Sequence, residues 1–325
     1  MRRWGCFHGM CAGDDLVPLK PLPEPDSKLE RGLGLIRGSI ASSFLFSTLL
    51  AVNVIQTASI VIKLFSQTAF RRVNRWIANL WWGWCALIAE KVYCTEFIMS
   101  GDDVPARENA IVVLNHQAMA DITVMLSFAR SKKRLGDLKW FVKDVFKYVP
   151  GAGWGMLFLD CLFVKRNWMD DRDHIHRVFE KIMNYSIPLW LMVFGEGTRV
   201  SPSKIVLSQQ YAGERGFTPL QHLLFPRTKG FVATVQALNG HVQAVYDVTI
   251  GYVEGVPTLW QWTKGYVRRV NVHVRRSLID DLPEERDAIS AWLVRLYEEK
   301  DALLDSFYRD GFFPTRLPAP GETSK

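Results

Sequence analysis

Apolar positions along this chain change pattern three times. Residues 1–37 show no period, and LVPLKPLPEP at 16–25 repeats proline, which fixes φ and removes a backbone donor. The segment predicts a disordered leader, and charges up to Arg37 exclude a secretory signal. No charged residue occurs from Gly38 to Ile62, a run of about 25 residues, long enough to cross a bilayer as a helix. A second run, WIANLWWGWCALIA at 76–89, is too short to cross and reads as a helix lying at a lipid–water boundary. Residues 38–92 therefore predict two membrane-attached helices, spanning or re-entrant, with a buried core helix as the alternative. Beyond position 100, short apolar runs alternate with helical stretches. Strands are predicted at 110–114, 140–142, 157–164, 189–194, 223–225, 244–250 and 270–274. Helices are predicted at 120–130, 172–185, 202–215, 230–239 and 284–308. Strands without polar positions are buried on both faces, so 93–312 reads as one α/β domain: a mostly parallel central sheet flanked by helices. Residues 313–325 form a proline-bearing flexible tail.

Composition sharpens the membrane reading. Twelve Trp among 325 residues is a high load, and indole favours the lipid–water boundary. Arg71, Arg72 and Arg75, ahead of the Trp-rich run, suit anionic head groups. Basic residues flank the first apolar run evenly, so charge assigns no orientation. The net charge of +7 fits nucleic acid, lipid or phosphorylated substrates equally. Nucleic acid is disfavoured as a partner, because the cations are scattered and the Trp run is not interleaved with them. Five Cys without CxxC or zinc spacing predict neither a disulfide framework nor a metal site.

Candidate chemistry gathers where apolar runs end, the edge at which parallel sheets bind ligands. After AIVVL comes NHQAMAD, residues 115–121. His116 leaves the strand, and Asp121 falls in the first turns of the next helix. Imidazole titrates near neutrality and can take a proton from an alcohol. A carboxylate on one ring nitrogen fixes the tautomer and stabilises the imidazolium. No nearby Ser or Cys is placed as a nucleophile, so direct attack by the activated alcohol is expected, without a covalent enzyme intermediate. Glu196, Gly197, Thr198 and Arg199 follow the run at 189–194, and Arg199 offers a fork that suits phosphate. Phe163 and Arg166 end a third run, and Pro226 with Lys229 follow a fourth.

In this order, NHQAMAD, FVKR, FGEGTR and FPRTKGF resemble the four motif blocks of the glycerolipid acyltransferases. The similarity continues through VYDVTIGY to LPEERDAISAWLVRLYEEKDALL, covering roughly 75–315. Within that superfamily the chain is most similar to the eukaryotic 1-acyl-sn-glycerol-3-phosphate acyltransferases of the endoplasmic reticulum. The resemblance implies an acyltransferase domain at 93–312, with His116 as base and Asp121 as its orienting acid. It implies that Phe163, Arg166, Glu196, Gly197, Thr198 and Arg199 bind the glycerol-phosphate acceptor. Pro226 and Lys229 fall in the block associated with the acyl donor. Acyl-CoA and lysophosphatidic acid are the implied substrates, membrane lipids the implied surroundings, and no cofactor is implied. Asp160 stands where many bacterial members have Gly, and Gly195 where they have Pro. Two other readings stay open: another lysophospholipid acceptor, such as lysophosphatidylinositol or lysocardiolipin, and a non-catalytic membrane-remodelling protein.

Overall fold

Ser27 starts the first helix. Its side chain accepts from Glu30 N, and α1 (Lys28–Ala58) runs from there in the computed structural model, which describes residues 16–165 and 168–314. The leader expected over 1–37 is thus corrected over its last ten positions: no proline follows Pro25, and a hydroxyl cap is available at Ser27. Just upstream, Pro21 bridges Val256 and Leu22 is buried, so this stretch is pinned to the domain. Residues 1–15 and 315–325 lie outside the described residues.

Helix α1 passes through Ser59 into α2 (Ile60–Phe65), and Ser66 caps α3 (Gln67–Leu87). Trp81 Nε1 donates to Leu45 O at 3.2 Å, and Phe44 packs on Trp84 at 5.5 Å, so α3 holds the middle of α1. The short apolar run expected at 76–89 is the second half of α3. The first half carries Arg71, Arg72 and Arg75.

The domain then runs β1 (Glu96–Gly101), β2 (Ala110–Leu114), α4 (Ala120–Ser131), β3 (Leu138–Lys143), α5 (Ala152–Phe158), β4 (Leu162–Val164), α6 (Trp168–Asn184) and β5 (Trp190–Phe194). It continues through α7 (Pro202–Gly213), α8 (Thr228–Leu238), β6 (Ala244–Tyr252), α9 (Leu259–Thr263), β7 (Arg269–Leu278) and α10 (Arg286–Asp310). The seven strands form one sheet in the order β1-β7-β6-β2-β5-β3-β4. Strands β6, β2, β5, β3 and β4 are parallel; β7 runs antiparallel to β6, and β1 follows β7. This is the α/β class that the continuous apolar runs imply.

Alternate residues of β2 feed two cores. Ala110, Val112 and Leu114 pack toward α3 and α4, while Ile111 and Val113 pack toward α6, α8 and α10. Because β2 lies between β5 and β6, and the chain leaves β2 on one face and β5 on the other, a crevice opens at their carboxyl ends. Helix α1, about 46 Å long at 1.5 Å per residue, touches α9, α3 and α5 in turn.

Two local expectations need correcting, and one strand has no counterpart among them. Strand β1 carries no continuous apolar run, because it is a half-exposed edge. The run at 157–164 ends α5, turns at Asp160 and leaves only three residues in β4. The run at 223–225 is not a strand; Leu223 and Leu224 are buried from a loop that anchors to the site.

Asp160 has φ +56°, the left-handed region that favours Gly, Asn or Asp. It ion-pairs with Arg71 of α3 at 3.4 Å and with Lys181 of α6. Asp160→Gly relieves the backbone but loses both pairs; Asp160→Ala loses the pairs and keeps the strain. The Ala variant should be less stable than the Gly variant by about 1 kcal/mol, read from urea midpoints.

Candidate active site

Strand β2 ends at Leu114, and Asn115 continues its ladder with a side chain. The Asn115 amide donates to Ile250 O at 3.0 Å and accepts from Ile250 N at 2.8 Å, so the backbone is free to turn out of the sheet. His116 follows that turn. Its Nδ1 lies 3.0 Å from Asp121 Oδ2, with the imidazole 12% and the carboxylate 0% exposed. A carboxylate can only accept, so Nδ1 carries a proton, and in the neutral ring Nε2 is the free nitrogen.

Asp121 sits in the first turn of α4 and gathers further donors. Oδ2 also accepts from Gln117 N at 2.7 Å and Ala118 N at 2.9 Å, and Oδ1 accepts from Tyr252 Oη at 2.7 Å. The loop therefore wraps the carboxylate, while β6 supplies the fourth donor. Burial and the adjacent Asp121 push the Tyr252 phenol well above its ordinary range, so it stays a donor at physiological pH. Tyr252 lies 131 positions from Asp121 in the chain, and nothing in the local sequence marks it as a partner.

The loop after β5 holds the backbone of His116 from both sides. Glu196 Oε1 accepts from His116 N at 2.8 Å, and Val200 N donates to His116 O at 2.8 Å. The other Glu196 oxygen accepts from Leu224 N at 3.2 Å. Glu196 is buried, and burial pushes its carboxyl up to about 8 against the pull of those two amides. It faces inward as a brace and makes no ion pair with Arg199. Phe194 stacks on His116 with centroids 3.9 Å apart, and Trp140 stacks behind Phe194 at 6.1 Å.

Two glycines set how close this loop comes to its neighbours. A Cβ on Gly195 would lie 2.6 Å from Tyr297 Oη, so the Gly found here matches the Tyr that α10 brings to this spot. Gly197 has φ +70°, and a Cβ there would meet Arg227 Cδ at 2.9 Å. Arg227 thus lies over the loop, and its N–H donates to Gly195 O at 2.8 Å. Beyond the glycines, Arg199 is exposed and makes no ion pair among the described residues. Lys204 Nζ donates to Thr198 Oγ1 at 2.9 Å and Arg199 O at 2.8 Å. Lys229, exposed in the first turn of α8, follows buried Pro226. Arg227 and Lys204 are additions that the sequence reading left out.

The structure thus brings His116, Asp121, Glu196, Gly197, Thr198 and Arg199 to one crevice, with Pro226 and Lys229 beside it. Phe163 is placed differently: it pairs with Val142 across β3 and β4 and is buried in the apolar core. Arg166 lies outside the described residues. Among the described residues, no cluster of His, Cys, Asp and Glu could hold a metal ion.

Residues 96–253 match the family model described as Acyltransferase, and residues 264–325 match one described as Acyltransferase C-terminus. These matches define an acyltransferase. The 1-acyl-sn-glycerol-3-phosphate acyltransferase delta of Rattus norvegicus is 35% identical over 270 residues, covering 82% of this chain and 71% of that protein. The 1-acyl-sn-glycerol-3-phosphate acyltransferase 3 of Arabidopsis thaliana is 32% identical over 280 residues, covering 83% and 73%. Among solved structures, the 1-acyl-sn-glycerophosphate acyltransferase PlsC of Thermotoga maritima is similar at a TM-score of 0.48 and 16% identity, over 84% of this chain and 96% of that one. That likeness is loose, and the fold described above stands on its own strand order. The chain belongs to the family of 1-acyl-sn-glycerol-3-phosphate acyltransferases.

Tyr252→Phe removes one donor from a buried carboxylate and leaves its shape filled. A hydrogen bond to a charged group contributes roughly 1.5–3 kcal/mol. The variant should lose about that much stability in urea unfolding, and acyl transfer should slow because Asp121 then holds His116 less firmly.

Proposed function

We propose that this protein transfers an acyl group from acyl-CoA to the sn-2 hydroxyl of 1-acyl-sn-glycerol-3-phosphate, giving phosphatidic acid and free CoA. The observation that carries this reading is the His116–Asp121 pair, 3.0 Å apart, in a crevice rimmed by the cations Arg199, Lys204, Arg227 and Lys229. A phosphomonoester beside a free hydroxyl suits that arrangement. The names of the relatives support the acceptor.

On this reading, Nε2 of His116 takes the hydroxyl proton as the oxygen attacks the thioester carbonyl. Asp121 stabilises the imidazolium through Nδ1–H. Collapse of the tetrahedral intermediate breaks the C–S bond, and the imidazolium returns its proton to the CoA sulfur. No covalent enzyme intermediate is required. Arg199 holds the acceptor phosphate, and Glu196 acts on the base through the backbone it braces.

We also propose that the protein works at a membrane, that of the endoplasmic reticulum. Lys28–Phe65 is, by length and composition, the one stretch among the described residues apolar and long enough to cross a bilayer. Its exposed side carries Leu33, Ile36, Ile40, Phe44, Val54 and Leu64. Val145, Tyr148, Val149, Trp154 and Leu157 add exposed apolar surface after β3, at the edge where His116 lies. Such a surface supports a lipid acceptor that approaches from this edge of the sheet.

His116→Ala should lower kcat/KM by a factor on the order of 10²–10⁴ while the far-UV circular dichroism stays unchanged. The assay supplies labelled acyl-CoA with lysophosphatidic acid, lysophosphatidylinositol and lysocardiolipin in competition. Undiminished turnover by His116→Ala defeats the mechanism, and preference for another lysolipid replaces the acceptor. Arg199→Lys keeps the charge but loses the bidentate fork. It should raise KM for the phosphorylated acceptor roughly 10–100-fold, the worth of one charge-assisted hydrogen bond, with little change in kcat.

A further inference from the structure

A second concentration of positive charge lies at the other end of the sheet. Arg75 and Asn79 of α3, Arg107 ahead of β2, Lys133 and Arg134 after α4, and Pro188 ahead of β5 line a cleft of about 700 Å³. It opens where β2 and β5 begin, whereas His116 stands where β2 ends. Five residues of strand separate the two ends by about 17 Å at 3.3 Å per residue. The cleft is therefore no part of the catalytic crevice.

Four cations meet the carboxylate of Asp137 there, and the charge of Glu108 also reaches Arg134. Asp137, 2% exposed, pairs with Arg75 at 2.5 Å and with Arg134 at 3.0 Å. The other acids nearby are already engaged: Glu108 with Arg276, Asp103 with Lys132 and Glu90 with Arg130. Asn79 spends its amide on Gly136 N and Arg75 O. Arg107 and Lys133 are exposed and have no ion pair among the described residues. The carboxyl end of α4 contributes about half a negative charge, so the cleft keeps an excess of more than two positive charges.

Arg134 carries the argument furthest. It is 5% exposed, and its Nε is buried with no hydrogen-bond partner. A buried charged donor left unmatched is costly, and a nearby anion would lower that cost through its field. Two exposed cations at the rim, a buried guanidinium behind them, and a volume within the ordinary range for ligand sites together describe a receptor for a tetrahedral oxyanion. We propose that this cleft is a second anion site that binds a phosphate group. The phosphate is either free in solution or carried by an anionic phospholipid, to which α3 gives access from the membrane-attached side.

The test uses the full chain in neutral detergent, with Arg107→Glu/Lys133→Glu and the milder Arg107→Gln/Lys133→Gln. Arg286→Glu/Arg295→Glu on α10 is a charge-matched control on exposed residues outside the cleft. One arm follows the unfolding temperature during titration with inorganic phosphate at fixed ionic strength. The other follows flotation with vesicles of phosphatidylcholine alone or with added phosphatidic acid. The expected result is that the cleft variants need at least tenfold more phosphate for the same stabilisation, while the control pair responds as the parent does. If phosphate has no effect but the cleft variants lose fivefold or more of the phosphatidic-acid-dependent flotation and the control pair does not, the site takes a lipid head group. The proposal is overturned if neither arm separates the cleft variants from the parent, or if the control pair loses as much as they do.

Discussion

A fully buried carboxylate governs the architecture of this site. Taking Asp121 out of water costs several kcal/mol unless its oxygens are matched by donors, and four donors converge on them. They come from the imidazole, two successive backbone amides and a phenol on β6. Each demands something of the fold. The amides require the loop after β2 to curl around the first turn of α4, and the phenol requires β6 to lie next to β2. The imidazole is then the donor with a free second nitrogen. The geometry that satisfies the charge is the same geometry that orients the imidazole of His116.

The loop after β5 divides its residues by direction. Gly195 and Glu196 turn inward, Gly197 reverses the chain at positive φ, and Thr198 and Arg199 emerge at the surface. Glu196 spans from His116 N to Leu224 N, so one carboxyl joins the β2 loop to the segment before α8. Val200 closes the other side of His116. His116 and the exposed guanidinium of Arg199 therefore ride on one braced unit, although their motifs lie 80 positions apart. A change at Glu196 acts on His116 through its backbone rather than through solvent.

The parts of this arrangement that sequence revealed are those whose signal is local. Runs such as Ala110–Leu114 are apolar at every position because the strand is buried on both faces, and the residues after them had to be loops at a sheet edge. His116 and Asp121, five apart, were legible as a pair for the same reason. Contacts made by the register of distant strands were not legible. Tyr252 reaches Asp121 only because β6 lies beside β2, and Arg227 covers Gly197 only because α8 starts there. Apolar runs also misled: 223–225 is buried by a loop whose amide serves Glu196, and 157–164 holds the left-handed turn at Asp160. The leader hid a helix because its prolines all precede Ser27.

Placement of apolar surface relative to the crevice follows from the parallel sheet. Strands β2, β5 and β3 end at the same edge, so the segment after β3 emerges beside the loops that carry His116 and Arg199. That segment and α5 expose Val145, Tyr148, Trp154 and Leu157, and Asn53 of α1 accepts from Gly151 N at 3.0 Å to join them to the long apolar helix. On the proposed reading, a lipid acceptor whose chain stays among these residues would present its head group to the cations around Gly197, and a water-soluble acceptor would gain nothing from such a border. The apolar surface and His116 would then act on the same substrate from opposite ends, one through its acyl chain and the other through its hydroxyl.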